Sequence, residues 1–114
     1  MKSDRIYILH IRDAIARILE YTREGRDAFF ARPMVQDAVV RNVEIIGEAV
    51  KNLSEPLKSS HAKVPWKRIA GMRDKMIHEY FGVNLQLVWE VVERDLSEFG
   101  AVVESILQGL SGGK

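Results

Sequence analysis

The sequence has no cysteine, little proline and no long hydrophobic run. Its 114 residues include no Cys and only 3 Pro. Without cysteine the chain has no disulfide, no thiolate zinc site and no cysteine nucleophile. No apolar run approaches the roughly 20 residues that cross a membrane, and the charges of Lys2, Asp4 and Arg5 leave no apolar core for a signal peptide. We therefore expect a cytoplasmic protein.

A strong excess of one charge is also absent. The chain carries 17 basic and 16 acidic residues, for a net charge of +1, and 46% of its residues are hydrophobic. This composition is typical of a folded globular domain and excludes a disordered chain. Any contact with nucleic acid must then depend on where individual charges lie. We expect one domain over residues 1–110 and a flexible tail at residues 111–114.

The spacing of apolar residues predicts helices along almost the whole chain. The first helix runs from Asp4 to about Tyr21. Its apolar stripe consists of Ile8, Ile11, Ile15, Ile18 and Leu19. A short turn near Gly25 precedes a long second helix, which begins at Pro33 because proline suits the first helical position. Apolar residues at core spacing extend this helix to about Leu53.

Two further helices follow a polar linker at residues 54–65. The third helix covers residues 65–77 and is closed by Gly82, which suits the position after a helix end. Asn84 is a good cap for the last helix. Apolar residues recur three and four apart along this last helix as far as Leu110, a pattern typical of helices packed nearly antiparallel.

These segments predict an all-α fold: an antiparallel up-and-down four-helix bundle with a short extra helix and no β-strand. Gly47, inside the second long helix, would cost about 1 kcal/mol relative to alanine, so we expect another helix to approach closely there. A second apolar line on the last helix consists of Leu87, Val91 and Val102. This surplus of apolar surface favours a homodimer.

Most sequence signals of catalysis are missing. There is no glycine-rich phosphate loop, and the three histidines lack the spacing of metal ligands, so we predict no metal and no cofactor. One dense cluster of reactive side chains remains, at residues 73–80 (RDKMIHEY). The ordinary interpretation of such a run is a solvated helix face. Trp66 and Trp89 are expected to be core anchors rather than platforms for bases.

The chemistry of this cluster suits RNA cleavage. His78 can act as a general acid or base near neutral pH, Arg73 can hold a phosphate through two N–H groups, and Tyr80 can donate to a phosphate or stack on a base. In a regular helix, however, His78 lies about 140° round from Arg73. The side chains converge only if the helix ends near His78 or a second subunit completes the site.

Three blocks of the sequence resemble one family. Arg73, His78 and Tyr80 follow the R-x4-H-x-Y order of HepT-type toxins, which are minimal members of the HEPN group. Residues 41–49 (RNVEIIGEA) resemble the second-helix segment of that family, and residues 65–74 (PWKRIAGMRD) resemble the lead into its motif. The Phe-Gly-Val-Asn turn before the last helix is also similar to that family's sequence. The resemblance therefore covers nearly the whole chain.

The resemblance implies a fold, an activity and a set of site residues. Members of this family are dimeric all-α bundles that act as metal-independent endoribonucleases on cellular RNA, with tRNA the expected target. Arg73 and His78 are then the catalytic pair. Asp74 and Asn42 would be supporting residues that position Arg73 or the phosphate.

The resemblance also implies a partner. In this family an MntA-type nucleotidyltransferase antitoxin transfers AMP from ATP to the tyrosine of the motif, here Tyr80. Added AMP would place bulk and negative charge in the cleft and repel an RNA backbone.

Two other functions compete with a ribonuclease toxin. The chain could be a non-catalytic helical subunit that binds nucleotide or presents substrate to a nucleotidyltransferase, or a purely structural dimerisation bundle. The intact Arg73–His78–Tyr80 motif favours the ribonuclease, because a scaffold does not need that combination of side chains.

Overall fold

The fold was analysed in a computed structural model that describes residues 3–78 and 82–112. The described chain is almost entirely helical, as predicted. Its helices are α1 (Asp4–Tyr21), α2 (Arg26–Ala31), α3 (Pro33–Asn52), α4 (Glu55–Ser60), α5 (Trp66–Ala70), α6 (Met72–Met76), α7 (Leu85–Glu90) and α8 (Leu96–Gly112). A π-helical turn at Val91–Asp95 joins α7 to α8. None of the described helices is long and apolar enough to cross a membrane.

The core is built where three long helical segments meet. α3 packs against α1, and α1 also packs against α8. The fully buried side chains come from all three helices and from the short elements beside them, because each helix turns one apolar stripe inwards. The largest of them are Phe29, Ile8, Ile11, Ile18, Ile46, Met76, Leu96, Val39, Val43, Val50, Val88 and Val103.

The predicted bounds of the long helices are confirmed. α1 spans Asp4–Tyr21, α3 begins at Pro33, and the side chain of Asn84 accepts a hydrogen bond from the Leu87 N–H at 3.1 Å. The predicted apolar stripes are wrong at their ends. Leu19 is 41% exposed and Leu110 is 36% exposed.

The third predicted helix is confirmed in its end but not in its continuity. It is broken at Gly71 into α5 and α6, and α6 ends at Met76, one residue before the predicted end. Gly82, which was expected to close the helix, lies in a strand instead. Ile77 takes an extended backbone and begins a two-residue strand, β1 (Ile77–His78), which pairs antiparallel with β2 (Gly82–Val83). The prediction of no β-strand therefore fails over these four residues. Gly82 has a φ of +77°, which glycine adopts readily.

The polar linker at residues 54–65 also contains structure that was not predicted. α4 occupies Glu55–Ser60, and the Ser54 hydroxyl accepts a hydrogen bond from the Leu57 N–H at 3.2 Å. The Asp4 carboxylate accepts hydrogen bonds from the Ser54 N–H at 2.8 Å and from its hydroxyl at 2.6 Å. The start of α1 is thereby tied to the start of α4.

The apolar line on which the homodimer prediction was based is largely covered within one chain. Val91 is buried, and Leu87 and Val102 are half-buried. Both tryptophans are buried as expected, with Trp66 8% and Trp89 7% exposed. The homodimer and the up-and-down arrangement stay predictions.

Gly47 marks the close approach that the sequence predicts. A Cβ added at this residue would lie 3.1 Å from the carbonyl oxygen of Ala70, which is the last residue of α5. The contact joins the middle of α3 to the segment that carries Arg73. The absence of a side chain at residue 47 therefore sets how near α5 and α6 come to α3.

Substitution of Gly47 tests this contact. Gly47→Val places three carbons against a backbone carbonyl that has little room to move, so we expect the free energy of unfolding to fall by about 1–3 kcal/mol. Gly109→Ala is the matched control, because nothing lies within 4 Å of its added Cβ; it should gain up to about 1 kcal/mol from helix propensity. Urea denaturation measures both. A Gly47→Val protein as stable as the parent would contradict the tight approach.

Candidate functional site

Arg73 is held by a carboxylate from another helix. It is the second residue of α6, and its Nε donates a hydrogen bond of 2.7 Å to Oε2 of Glu44 on α3. The Arg73 side chain is 49% exposed and that of Glu44 is 28% exposed. The pair therefore lies at the surface, with the guanidinium accessible to a ligand from solution.

Two more charged side chains, Arg41 and Asp74, lie beside the Arg73–Glu44 pair. Nη1 of Arg41 lies 3.5 Å from Oε1 of Glu44, so that carboxylate is shared between two arginines. Oδ1 of Asp74 lies 3.6 Å from Nη1 of Arg73. The hydrogen bond and charge of Glu44, together with the charge of Asp74, raise the pKa of Arg73 above its ordinary value.

The local chain path explains how Arg73 reaches Glu44. Gly71 ends α5 and precedes α6, and its N–H donates to the Lys67 carbonyl at 3.2 Å. The Asp74 N–H donates to the Gly71 carbonyl at 3.1 Å, which starts the new helical turn. Because Gly47 lies one turn along α3 from Glu44, the close approach at Gly47 brings α6 beside that carboxylate.

His78 does not share a helix with Arg73. The Ile77 backbone is extended, and residue 78 is paired with Gly82 in the two-residue ladder. The angle of about 140° expected from a continuous helix therefore does not apply. The first of the two conditions for convergence, a helix that ends near His78, is met. The side chain of His78 and the whole of Tyr80 lie outside the described residues, so their approach to Arg73 stays a prediction.

The two supporting residues differ in position. Asp74 contacts Arg73, as given above, but Asn42 does not. Asn42 is 5% exposed, and its Oδ1 accepts a hydrogen bond of 2.8 Å from Nε of Arg17 on α1. Its Nδ2 donates to the Ala38 carbonyl at 2.9 Å. Among described side chains, the arginine that Asn42 holds is Arg17 and not Arg73. A supporting role for Asn42 toward the phosphate stays a prediction.

Sequence reasoning missed Glu44 and Arg17. Glu44 lies inside the 41–49 block, but its partner is 29 residues away, and Arg17 is 25 residues from Asn42. No helical period links residues at such separations. A buried asparagine in an apolar stripe was the one signal available, since a buried amide needs partners.

Two grooves formed by described residues are lined by Met72, the residue before Arg73, but not by Arg73 itself. One of about 390 Å³ separates the start of α5 from the start of α8, and its lining residues include Lys63, Arg68, Met72 and Phe99 but not Arg73. Within the described residues, no three His, Asp or Glu side chains are grouped so that they could hold a metal ion.

The arrangement at Arg73 can bind an oxyanion. Glu44 occupies Nε, and no described residue lies within hydrogen-bond distance of Nη2. A guanidinium fixed along one edge retains N–H donors on its outer edge in the planar geometry that suits a phosphate. The fold and this cluster define a small helical protein with an arginine–carboxylate site at its surface.

The family that matches this chain is described as Ribonuclease HepT-like, and the match covers residues 11–106. The chain belongs to this family. It is 46% identical over 109 residues to a protein of Caldanaerobacter subterraneus named "Putative RNase TTE0752", covering 95% of this chain and 97% of that protein. It is 40% identical to the "Probable ribonuclease HepT" of Thermococcus cleftensis, covering 92% of this chain and 96% of that protein.

A third relative is longer than this chain. The "Gamma-glutamylcyclotransferase and putative RNase MJ0434" of Methanocaldococcus jannaschii is 43% identical, with 99% of this chain covering 51% of that protein. No solved structure matches the chain.

Proposed function

We propose that this protein is a metal-independent endoribonuclease that cleaves cellular RNA, with tRNA as the expected substrate. The observation that supports this function best is the position of Arg73: it belongs to the motif, its Nε donates to Glu44, and its side chain is 49% exposed. Membership of the HepT-like ribonuclease family supports the same activity.

In the proposed reaction the ribose 2′-oxygen attacks the adjacent phosphorus, and the bond from phosphorus to the 5′-oxygen breaks. His78 accepts the proton of the 2′-hydroxyl as the new bond forms, and a solvent water donates a proton to the departing 5′-oxygen. The products are a 2′,3′-cyclic phosphate and a free 5′-hydroxyl. Arg73 stabilises the negative charge that develops on the phosphoryl oxygens. Neither role requires a metal ion.

The most direct test of the activity is cleavage of bulk tRNA in the presence of EDTA. We expect the parent protein to degrade tRNA and His78→Ala to lose at least about a hundredfold in rate, as removal of a general acid or base does. Gel electrophoresis of the RNA measures both. The free 5′-hydroxyl ends can be checked by labelling them with a kinase without prior phosphatase treatment.

Two results would contradict the proposal. Equal cleavage by both proteins would identify a contaminant or a different site. No cleavage by either, with Tyr80 shown by mass to carry no AMP, would favour the non-catalytic subunit that presents a substrate to a nucleotidyltransferase.

Glu44 is proposed as the positioning residue for Arg73. A surface ion pair adds little to stability, so its effect should appear in the rate. Glu44→Gln keeps the shape and an acceptor oxygen but removes the charge. We expect kcat to fall by about ten- to a hundredfold because the guanidinium loses its fixed orientation, with the unfolding midpoint in urea unchanged.

Glu48→Gln is the matched control for this test. Glu48 lies one turn further along α3, is exposed, and pairs with Lys51 at 3.8 Å. Its kcat should equal that of the parent. If Glu44→Gln and Glu48→Gln had the same kcat, Glu44 would have no role in positioning Arg73.

We further propose that the protein is the toxin of a toxin–antitoxin pair. Its partner would be an MntA-type nucleotidyltransferase that adds AMP to Tyr80, and the toxin would act as a cytoplasmic homodimer. The support is the motif order Arg73, His78, Tyr80 within a chain of the HepT-like family. Phosphates on Tyr80 would add negative charge near the arginine that is to hold the substrate phosphate, and so repel RNA.

Tyr80→Phe tests this silencing. The variant lacks the hydroxyl that accepts AMP, so we expect it to keep ribonuclease activity and to remain active after incubation with the transferase and ATP. The parent should gain the mass of AMP and lose activity under the same conditions. Complete, ATP-dependent silencing of Tyr80→Phe would contradict the assignment of this residue.

A further inference from the structure

The side chain of Arg17 is oriented by the buried amide of Asn42. It lies on α1, and its Nε donates to Oδ1 of Asn42 at 2.8 Å. Asn42 is 5% exposed, and the bond from its Nδ2 to the Ala38 carbonyl fixes the orientation of the amide. Asn42 is buried and is hydrogen-bonded through both its Oδ1 and its Nδ2, so it holds Arg17 firmly at the Nε. Arg17 as a whole is exposed.

The positive charge of Arg17 is not matched by a carboxylate in the described part of the chain. The acidic residues four before and three after it on α1 are Asp13 and Glu20, the usual partners in a helix. Asp13 lies 3.2 Å from Arg12, and Glu20 lies 3.4 Å from Arg23. No described carboxylate lies within 4.0 Å of the Arg17 guanidinium.

The anchors of Arg17 and Arg73 lie in one turn of α3 but on different faces of it. Asn42 and Glu44 are two residues apart, so their Cα atoms are roughly 5 Å apart while their side chains project about 160° apart around the helix. Arg41 lies on the face of the helix between them and is exposed. One turn of α3 therefore orients two arginines from different helices, one through a neutral amide and one through a carboxylate.

The two arginines differ in how far their positive charge is neutralised. Glu44 and Asp74 offset much of the charge of Arg73, whereas Asn42 leaves the full charge of Arg17 available to a ligand. A purely structural link between α1 and α3 needs only a neutral donor at this position. A full positive charge that is oriented but not neutralised suits an anion from outside the chain.

We propose that Arg17 binds a second backbone phosphate of the RNA, distinct from the phosphate that Arg73 holds and on the α1 side of α3. This inference rests on the proposed ribonuclease function. Binding of a phosphate by Arg17 releases condensed counterions, so it must contribute to the salt dependence of RNA affinity. Arg17 contacts the strand but not the reacting atoms, so it sets affinity rather than the rate of the chemical step.

The test measures RNA affinity as a function of salt. Fluorescently labelled tRNA is titrated with the His78→Ala protein in EDTA at several KCl concentrations, followed by anisotropy. Adding Arg17→Gln should reduce the slope of log K against log[KCl] by about 1. In the catalytically intact protein, Arg17→Gln should raise KM severalfold and leave kcat within about twofold.

Arg32→Gln is the matched control, because it removes one exposed arginine that is already paired, to Glu24 at 3.2 Å. Its salt slope should equal that of the parent. An unchanged slope in Arg17→Gln, or an equal loss in Arg32→Gln, would overturn the inference while the ribonuclease function stands. A parent protein that neither binds nor cleaves RNA would overturn both.

Discussion

The site depends on the contact between Gly47 and the Ala70 carbonyl. A Cβ at residue 47 would lie 3.1 Å from that oxygen, so α5 approaches α3 to a distance that only glycine permits without displacement. Glu44 lies three residues before Gly47, and Arg73 lies three residues after Ala70. The contact between two backbones therefore sets the distance between the two side chains, which form their hydrogen bond at 2.7 Å.

The ion pairs of the site orient side chains and add little to the stability of the fold. Ion pairs at the surface contribute little to folding, and Arg73 is half exposed. What Glu44 provides is a fixed direction for the outer N–H groups of Arg73, which reduces the ordering needed when a phosphate binds. Asn42 does the same for Arg17 without cancelling its charge. α3 thus orients two surface arginines, Arg73 and Arg17, although neither belongs to this helix.

The sequence predicted the long helices well because their signals are local. The apolar period from Ile8 to Ile18, proline at the start of α3 and the Asn84 cap are all contained within a few turns of chain. The break in the third helix was not predicted, because Ile69, Met72 and Met76 continue a helical period through Gly71. The break lies where α5 and α6 pack on α3, and the Ile77–Val83 pairing joins two segments of chain that no helical period relates.

In the candidate site, too, local sequence signals predict some residues and not others. The chemistry of residues 73–80 singled out the segment that contains Arg73 and Asp74, and the family resemblance implied the roles of these two residues. Glu44 and Arg17 were not found in this way, because their hydrogen bonds join residues 29 and 25 positions apart, and only the packing of α1 and α6 on α3 brings them together. The resemblance implied a supporting role for Asn42, but its hydrogen bond to Arg17 depends on the packing of α1 on α3.

α3 orients Arg73 and Arg17 before any RNA binds. The arginine Nε–H signals of the RNA-free protein, measured by NMR relaxation, test this orientation most directly. We expect the order parameters of both groups to approach that of rigid backbone amides, about 0.85. Arg23, which is 71% exposed in its pair with Glu20, should be far more mobile. Order parameters below about 0.6 for Arg73 and Arg17, equal to those of Arg23, would contradict this orientation.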